Sequence, residues 1–155
     1  MRHTLNRMHQ RGKDDRGFTM IELLVVVVII GVLVAIAVPV YLNYRKGAAN
    51  KSAASDVRGA ITAVEQYYTE NGNTYPASGE SGLGADLTLG AGPGKITVSP
   101  GNKIAYVNAT SGTSTSYYIC GVNEDGGQAY VYNSTAGGSV KKAAGDYAAC
   151  KTNGT

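Results

Sequence analysis

A chain of 155 residues fits one domain of ordinary size; its charged fraction is 16%, below the roughly 25% usual in soluble domains, and its apolar fraction is 43%. The formal charge of +3 resides wholly in residues 1–17 and is too small to mark a nucleic-acid binder by itself. His3 and His9 are the only histidines and lie in that same basic start, which excludes most histidine-dependent catalysis and zinc chemistry from the body of the protein.

In chain order, residues 1–17 are polar and basic, with Arg2, Arg7, Arg11, Lys13 and Arg16 set against Asp14 and Asp15. Residues 18–44 are almost wholly apolar, and from Leu23 to Tyr44 no charge occurs for 22 residues. A helix of that length spans about 33 Å, enough for the ~30 Å hydrocarbon core of a bilayer. The β-branched run Val25–Ile30 is also compatible with a buried strand, but length and continuity favour a membrane helix, apolar on every face. Positive residues flank it on both sides (Arg11, Lys13 and Arg16 before, Arg45 and Lys46 after), so flanking charge sets its orientation only weakly.

Beyond Arg45 the pattern becomes amphipathic. Val57, Ala60, Ile61, Val64 and Tyr68 recur at helical spacing, with Asp56, Arg58, Glu65 and Glu70 pointing elsewhere. Asn71-Gly72-Asn73 supplies the stop, Gly72 as a left-handed cap, and Pro76 prevents resumption. Pro39 and Gly47 can bend a helix without ending it, so one helix of about 50 residues is expected, the first half in membrane and the second in water. Residues 73–94 read as a Gly/Ser/Pro-rich connection. Short β-type runs follow at Lys95–Ser99, Lys103–Asn108, Ser116–Val122 and Gln128–Asn133, with a candidate fifth near Ser139–Lys142. An antiparallel sheet packed on the amphipathic helix is the expected α+β architecture.

Cys120 and Cys150 both follow the apolar segment and would meet an oxidising compartment if that part is exported. A bridge between them closes a 30-residue segment, worth roughly 3.6 kcal/mol in the chain-entropy description. The alternatives are two unpaired thiols or a metal site, the latter short of ligands without histidine.

The stretch that carries function is Gly17-Phe18-Thr19-Met20-Ile21-Glu22-Leu23-Leu24. A carboxylate bordering hydrocarbon is expensive and marks a functional site by default. A cut after Gly17 would place a new ammonium on Phe18, four residues and about one helical turn from Glu22. This stretch resembles the class III signal of type IV pilins and their relatives, the pseudopilins. The resemblance covers about 30 residues: a basic leader ending in Gly17, then Phe18, Thr19, Glu22, an apolar helix, Gly31 and Pro39. The long helix, its Asn-Gly-Asn-Thr-Tyr-Pro exit and a small C-terminal sheet with a late cysteine pair also look like pilins.

The resemblance implies that a prepilin peptidase cuts between Gly17 and Phe18 and methylates the new amine. It implies that Glu22 guides subunit docking and that the N-terminal helices pack as a filament core. Assembly then involves a pilus assembly platform and other pilins, with membrane lipid as the environment beforehand, and no cofactor, catalytic residue or metal. Gly31 and Pro39 are soft points of the helix. The leader departs from the pattern in carrying Asp14 and Asp15 near the cut, and Met8 is an alternative start. The expected organisation is a leader over 1–17, a transmembrane and filament-core helix over 18–44, an amphipathic helix over 45–72 and a head over 73–155, in a lollipop shape, on a precursor held in the cytoplasmic membrane with the head outside.

Rival readings are an ordinary secretory signal cut after Ala35-Ile36-Ala37 and a plain membrane anchor; both leave Glu22 and Gly17-Phe18 unexplained. Electron transfer through Tyr41, Tyr44, Tyr67 and Tyr68 is less economical than amphipathic packing of the same residues. An enzyme finds no carboxylate pair at acid–base spacing. Within the family, a secretion-system pseudopilin would share the first 40 residues. A DNA-uptake pilin would use Lys95, Lys103, Lys141, Lys142 and Lys151, a scatter that reads first as solvated surface.

Overall fold

The computed structural model describes residues 17–111 and 115–155. The basic residues 1–16, with the leader's acidic pair and the alternative start, lie outside them. Nine elements follow one another: α1 (Met20–Glu70), β1 (Gly79–Glu80), β2 (Leu87–Thr88), β3 (Lys95–Ile96), β4 (Asn102–Asn108), β5 (Tyr117–Asn123), β6 (Tyr130–Asn133), β7 (Lys141–Lys142) and α2 (Tyr147–Asn153). The chain divides into two compact units at Pro39.

In the first unit, α1 runs without interruption, and every described residue is exposed. Among the described residues it is the one helix long and apolar enough to cross a membrane. In the second unit, α1 buries Ala53, Ala54, Val57, Ala60 and Val64, which fall three or four residues apart and form one stripe. The helix ends where the sequence places its stop: Gly72 and Asn73 take left-handed φ values of 64° and 60°, and the Asn73 amide closes back on the Tyr68 carbonyl at 3.0 Å.

Five strands form one antiparallel sheet in the order β1-β4-β5-β6-β7, and β2 pairs with β3 separately. The long central pair sets the register, Ile104 opposite Gly121 and Tyr106 opposite Ile119. Alternation then sorts the two faces. Ile104, Tyr106, Tyr117 and Ile119 pack with Val57, Ala60 and Val64 of α1. On the other face, Ala105, Cys120 and Val131 pack with Cys150 of α2. The sheet is thus covered on both sides.

Several sequence expectations are corrected here. The segment 73–94 is not a plain connection. It holds β1 and β2, and Ser81 extends the β1 pairing by exchanging bonds with Ile104 through its amide (2.8 Å) and hydroxyl (2.9 Å). The runs at Lys95–Ser99 and Ser139–Lys142 shrink to two paired residues each, and the tail folds as α2. Asp146 caps that helix by accepting from the Ala149 amide at 2.8 Å, and Gly154 closes it at a φ of 64°. Neither two-residue strands nor a two-turn helix leave a periodic apolar signal long enough to read.

Asp56 and Glu65 do not point away from the sheet. Asp56 accepts from the Ser99 amide (2.7 Å), the Ser99 hydroxyl (2.9 Å) and Asn102 Nδ2 (2.6 Å). Buried Asn102 in turn accepts from Asn123 Nδ2 at 2.6 Å, which ties the helix to the β5–β6 turn. Glu65 accepts from the hydroxyls of Tyr117 and Tyr75. Around it the Tyr68, Tyr75 and Tyr117 rings follow at centroid spacings of 4.4 and 4.9 Å.

Two predictions follow from this packing. A Cβ at Gly121 would collide with Val57 Cγ2 and lie 2.7 Å from Ile104 Cδ1, so helix and sheet approach closely there. Gly121→Ala should destabilise the head by about 1–3 kcal/mol in denaturant melts, as overpacking does. The second concerns alkali. Burial, followed by the Glu65 charge, pushes the Tyr75 hydroxyl up from 10.0 to about 12, and burial pushes Tyr106 and Tyr117 up as well. The fold therefore favours neutral phenols. Their stabilisation is complete below pH 10, where unfolded tyrosine is neutral, and is lost as pH rises through about 12. Melting temperature should hold near neutral pH and fall across that window, in step with phenolate absorbance.

Candidate functional site

The helix start explains itself from the backbone upward. The first amides of any helix lack intrahelical acceptors. Here Thr19 stands just before α1, and Glu22 lies three residues on. The Glu22 carboxylate accepts from the Thr19 amide at 2.8 Å and from the Thr19 hydroxyl at 2.9 Å; the Glu22 amide donates to the Thr19 hydroxyl at 3.3 Å. This reciprocal arrangement is a capping box. The Thr-x-x-Glu spacing is visible in the sequence, where an amine on Phe18 accounts for Glu22 but no role falls to Thr19; the structure supplies one.

Just before this cap, Gly17 and Phe18 lie in irregular backbone. Phe18 is 83% exposed, and nothing approaches within 4 Å of where a Gly17 side chain would begin. Downstream, Gly31 and Pro39 both sit inside continuous helix.

Cys120 and Cys150 are joined in a disulfide, with Cα atoms 6.0 Å apart, so β5 and α2 are covalently linked. The tyrosines divide. Tyr67 and Tyr68 pack against the head, but Tyr41 and Tyr44 are 65% and 83% exposed, so amphipathic packing does not account for them. They stand at the end of the apolar run, where aromatic side chains favour a membrane–water boundary. Of the five head lysines, Lys95 pairs with Asp86, Lys103 with Glu124 and Lys151 with Glu80. Lys141 and Lys142 are exposed on the edge strand β7.

Residues 12–38 match the family described as the Prokaryotic N-terminal methylation motif, a span that contains Gly17, Phe18, Glu22 and Gly31. The chain is 38% identical over 95 residues to type II secretion system core protein G of Pectobacterium carotovorum, covering 61% of this chain and 56% of that protein. It is 32% identical over 100 residues to a fimbrial protein of Neisseria meningitidis, covering 64% and 57%. It is 34% identical over 64 residues to the type IV major pilin protein PilA of Myxococcus xanthus, covering 41% and 29%. The chain therefore matches little more than half the length of the first two relatives and less of the third. None of these names is an enzyme's.

Proposed function

We propose that this chain is a member of the type IV pilin and pseudopilin family and the structural subunit of a pilus-like surface filament. The observation that carries the reading is the exposure of α1 on every face from Met20 to Tyr44, headed by a carboxylate. Such a helix is at rest in lipid. Once extracted it must bury all its faces, and copies of itself supply the matching apolar surface.

In this proposal a prepilin peptidase removes residues 1–17 and methylates the Phe18 amine, while the head stands outside the cytoplasmic membrane. An assembly platform then lifts the subunit from the bilayer. Thr19 holds the Glu22 carboxylate in the monomer; in the filament core the ammonium of a neighbouring Phe18 takes it over, in a low-dielectric setting where pairing matters most. Gly31 and Pro39 let the helix adjust: Pro39 lacks an amide donor and weakens the turn before it, and Gly31 adds a second soft point.

A second reading, a pseudopilin of a type II secretion-like system, is favoured by the similarity to core protein G. It shares the processing and polymerisation steps and differs in the filament's destination. For DNA uptake, the ion pairs of Lys95, Lys103 and Lys151 weaken the basic surface that the role would need.

Glu22→Val tests the central step. A plain anchor loses only a costly carboxylate and should remain inserted, abundant and functional. A filament subunit should accumulate in the membrane, shortened by residues 1–17 and carrying one methyl by intact mass, while surface filaments disappear. Normal filaments in the mutant, or cleavage after Ala37 in the parent chain, would refute the assignment.

A further inference from the structure

We infer that the exposed side of α1 between Lys51 and Glu70 carries two complementary charge sites through which one head docks on another copy of this chain, displaced along the helix axis. The inference rests on the filament reading and names a contact between heads rather than between apolar helices.

The head's carboxylates are committed within the chain with one exception, while Lys46, Lys51, Arg58, Lys141 and Lys142 have no carboxylate partner among the described residues. Asp86, Glu80, Glu124 and Asp125 pair with Lys95, Lys151, Lys103 and Arg45. Asp56 and Glu65 are held by hydrogen bonds to the sheet, and Asp146 caps α2. Glu70 is different. It is exposed, and its only side-chain partner among the described residues is the neutral Gln66 amide at 2.8 Å. It borders a cleft of about 450 Å³ lined also by Gln66, Tyr67, Pro93, Lys95 and Thr97. Lys95 does not neutralise it, because its ammonium is turned to Asp86 at 2.7 Å. A cleft with a tyrosine and a proline on its walls and one uncommitted carboxylate suits a long cationic side chain, which buries its alkyl stem and keeps its charge at the rim.

The matching cations lie earlier on the same helix. Lys51 and Arg58 are exposed and without a carboxylate partner among the described residues. Seven residues apart, they share one face of α1. Lys51 also borders a largely apolar groove lined by Val40, Asn43, Tyr44, Gly47 and Ala48.

Glu70 and this pair sit at different heights, separated by about 18–28 Å at 1.5 Å per residue. Two parallel copies can bring them together only when one is translated along the axis by that amount. The contact is heterologous, so each copy keeps one unused donor site and one unused acceptor site. Such a contact does not close on itself and propagates as an open helix. The charge pattern of the head thus enforces the direction and stagger that the apolar helix, uniform on all faces, does not.

Charge reversal tests this in filament-forming cells. Glu70→Lys alone, and Lys51→Glu with Arg58→Glu, should each reduce surface filaments about tenfold or more, because an attraction becomes a repulsion at every addition step. The triple variant should restore filaments to near the parent level, and high salt should weaken the parent's assembly. All three positions are exposed, so head melting temperature should stay unchanged. Parent-level filaments in the one-sided variants, or a triple variant no better than either, would overturn the docking. Rescue of Glu70→Lys by Lys141→Glu with Lys142→Glu instead would also overturn it. Absence of filaments from the parent chain itself would defeat the filament reading, and this inference with it.

Discussion

An uncharged helix that shows apolar side chains to every side cannot rest in water, and each other feature of this protein bears on where that helix goes. From Leu23 to Tyr44 no polar face exists to be turned outward. Among the described residues nothing buries that surface. Lipid and a bundle of identical helices are the two environments that satisfy it, and a filament subunit must pass from one to the other. Uniform apolarity makes the transfer feasible, since neither state has a face to be matched, but it also removes any preference for stagger or direction. In the proposed assembly, polar groups at the two ends of the helix supply that information: Glu22 at the start, and the charges of the head beyond Tyr44.

In the proposed assembly Glu22 changes partner. While it bonds to the Thr19 amide and hydroxyl, the carboxylate is satisfied inside its own chain and the helix start is closed. Those bonds are exposed and local, so they exchange readily for a charged partner once one is held nearby.

The head fixes the second half of α1. Asp56 and Glu65 anchor the helix to the sheet through polar contacts, Val57 and Val64 through apolar ones. Behind the sheet, the Cys120–Cys150 bridge binds α2, whose seven residues could not stay helical unaided. Long-range periodicity made the helix, its end at Gly72, the three main strands and the cysteine partners legible in the sequence. The paired residues at Gly79, Leu87 and Lys141 were not, because two-residue strands depend on their neighbours rather than on their own pattern. Asp56 and Glu65 were misread because a helical wheel sorts residues by polarity. It cannot foresee that Ser99, Asn102 and Tyr117 bring donors to that face. At the functional end, Gly17, Phe18 and Glu22 stood out by type and spacing, while Thr19 was passed over because its bond is to the backbone of its own turn.

The most direct test of the account is a cryo-electron microscopic reconstruction of filaments purified from cells that express this chain. The account predicts one helical array of this subunit, with residues 23–44 of every copy packed around the axis and each Glu22 beside the Phe18 amine of a neighbour. Filaments whose core is made from the sheet domains, or a chain found solely in the membrane while filaments form from other subunits, would contradict it.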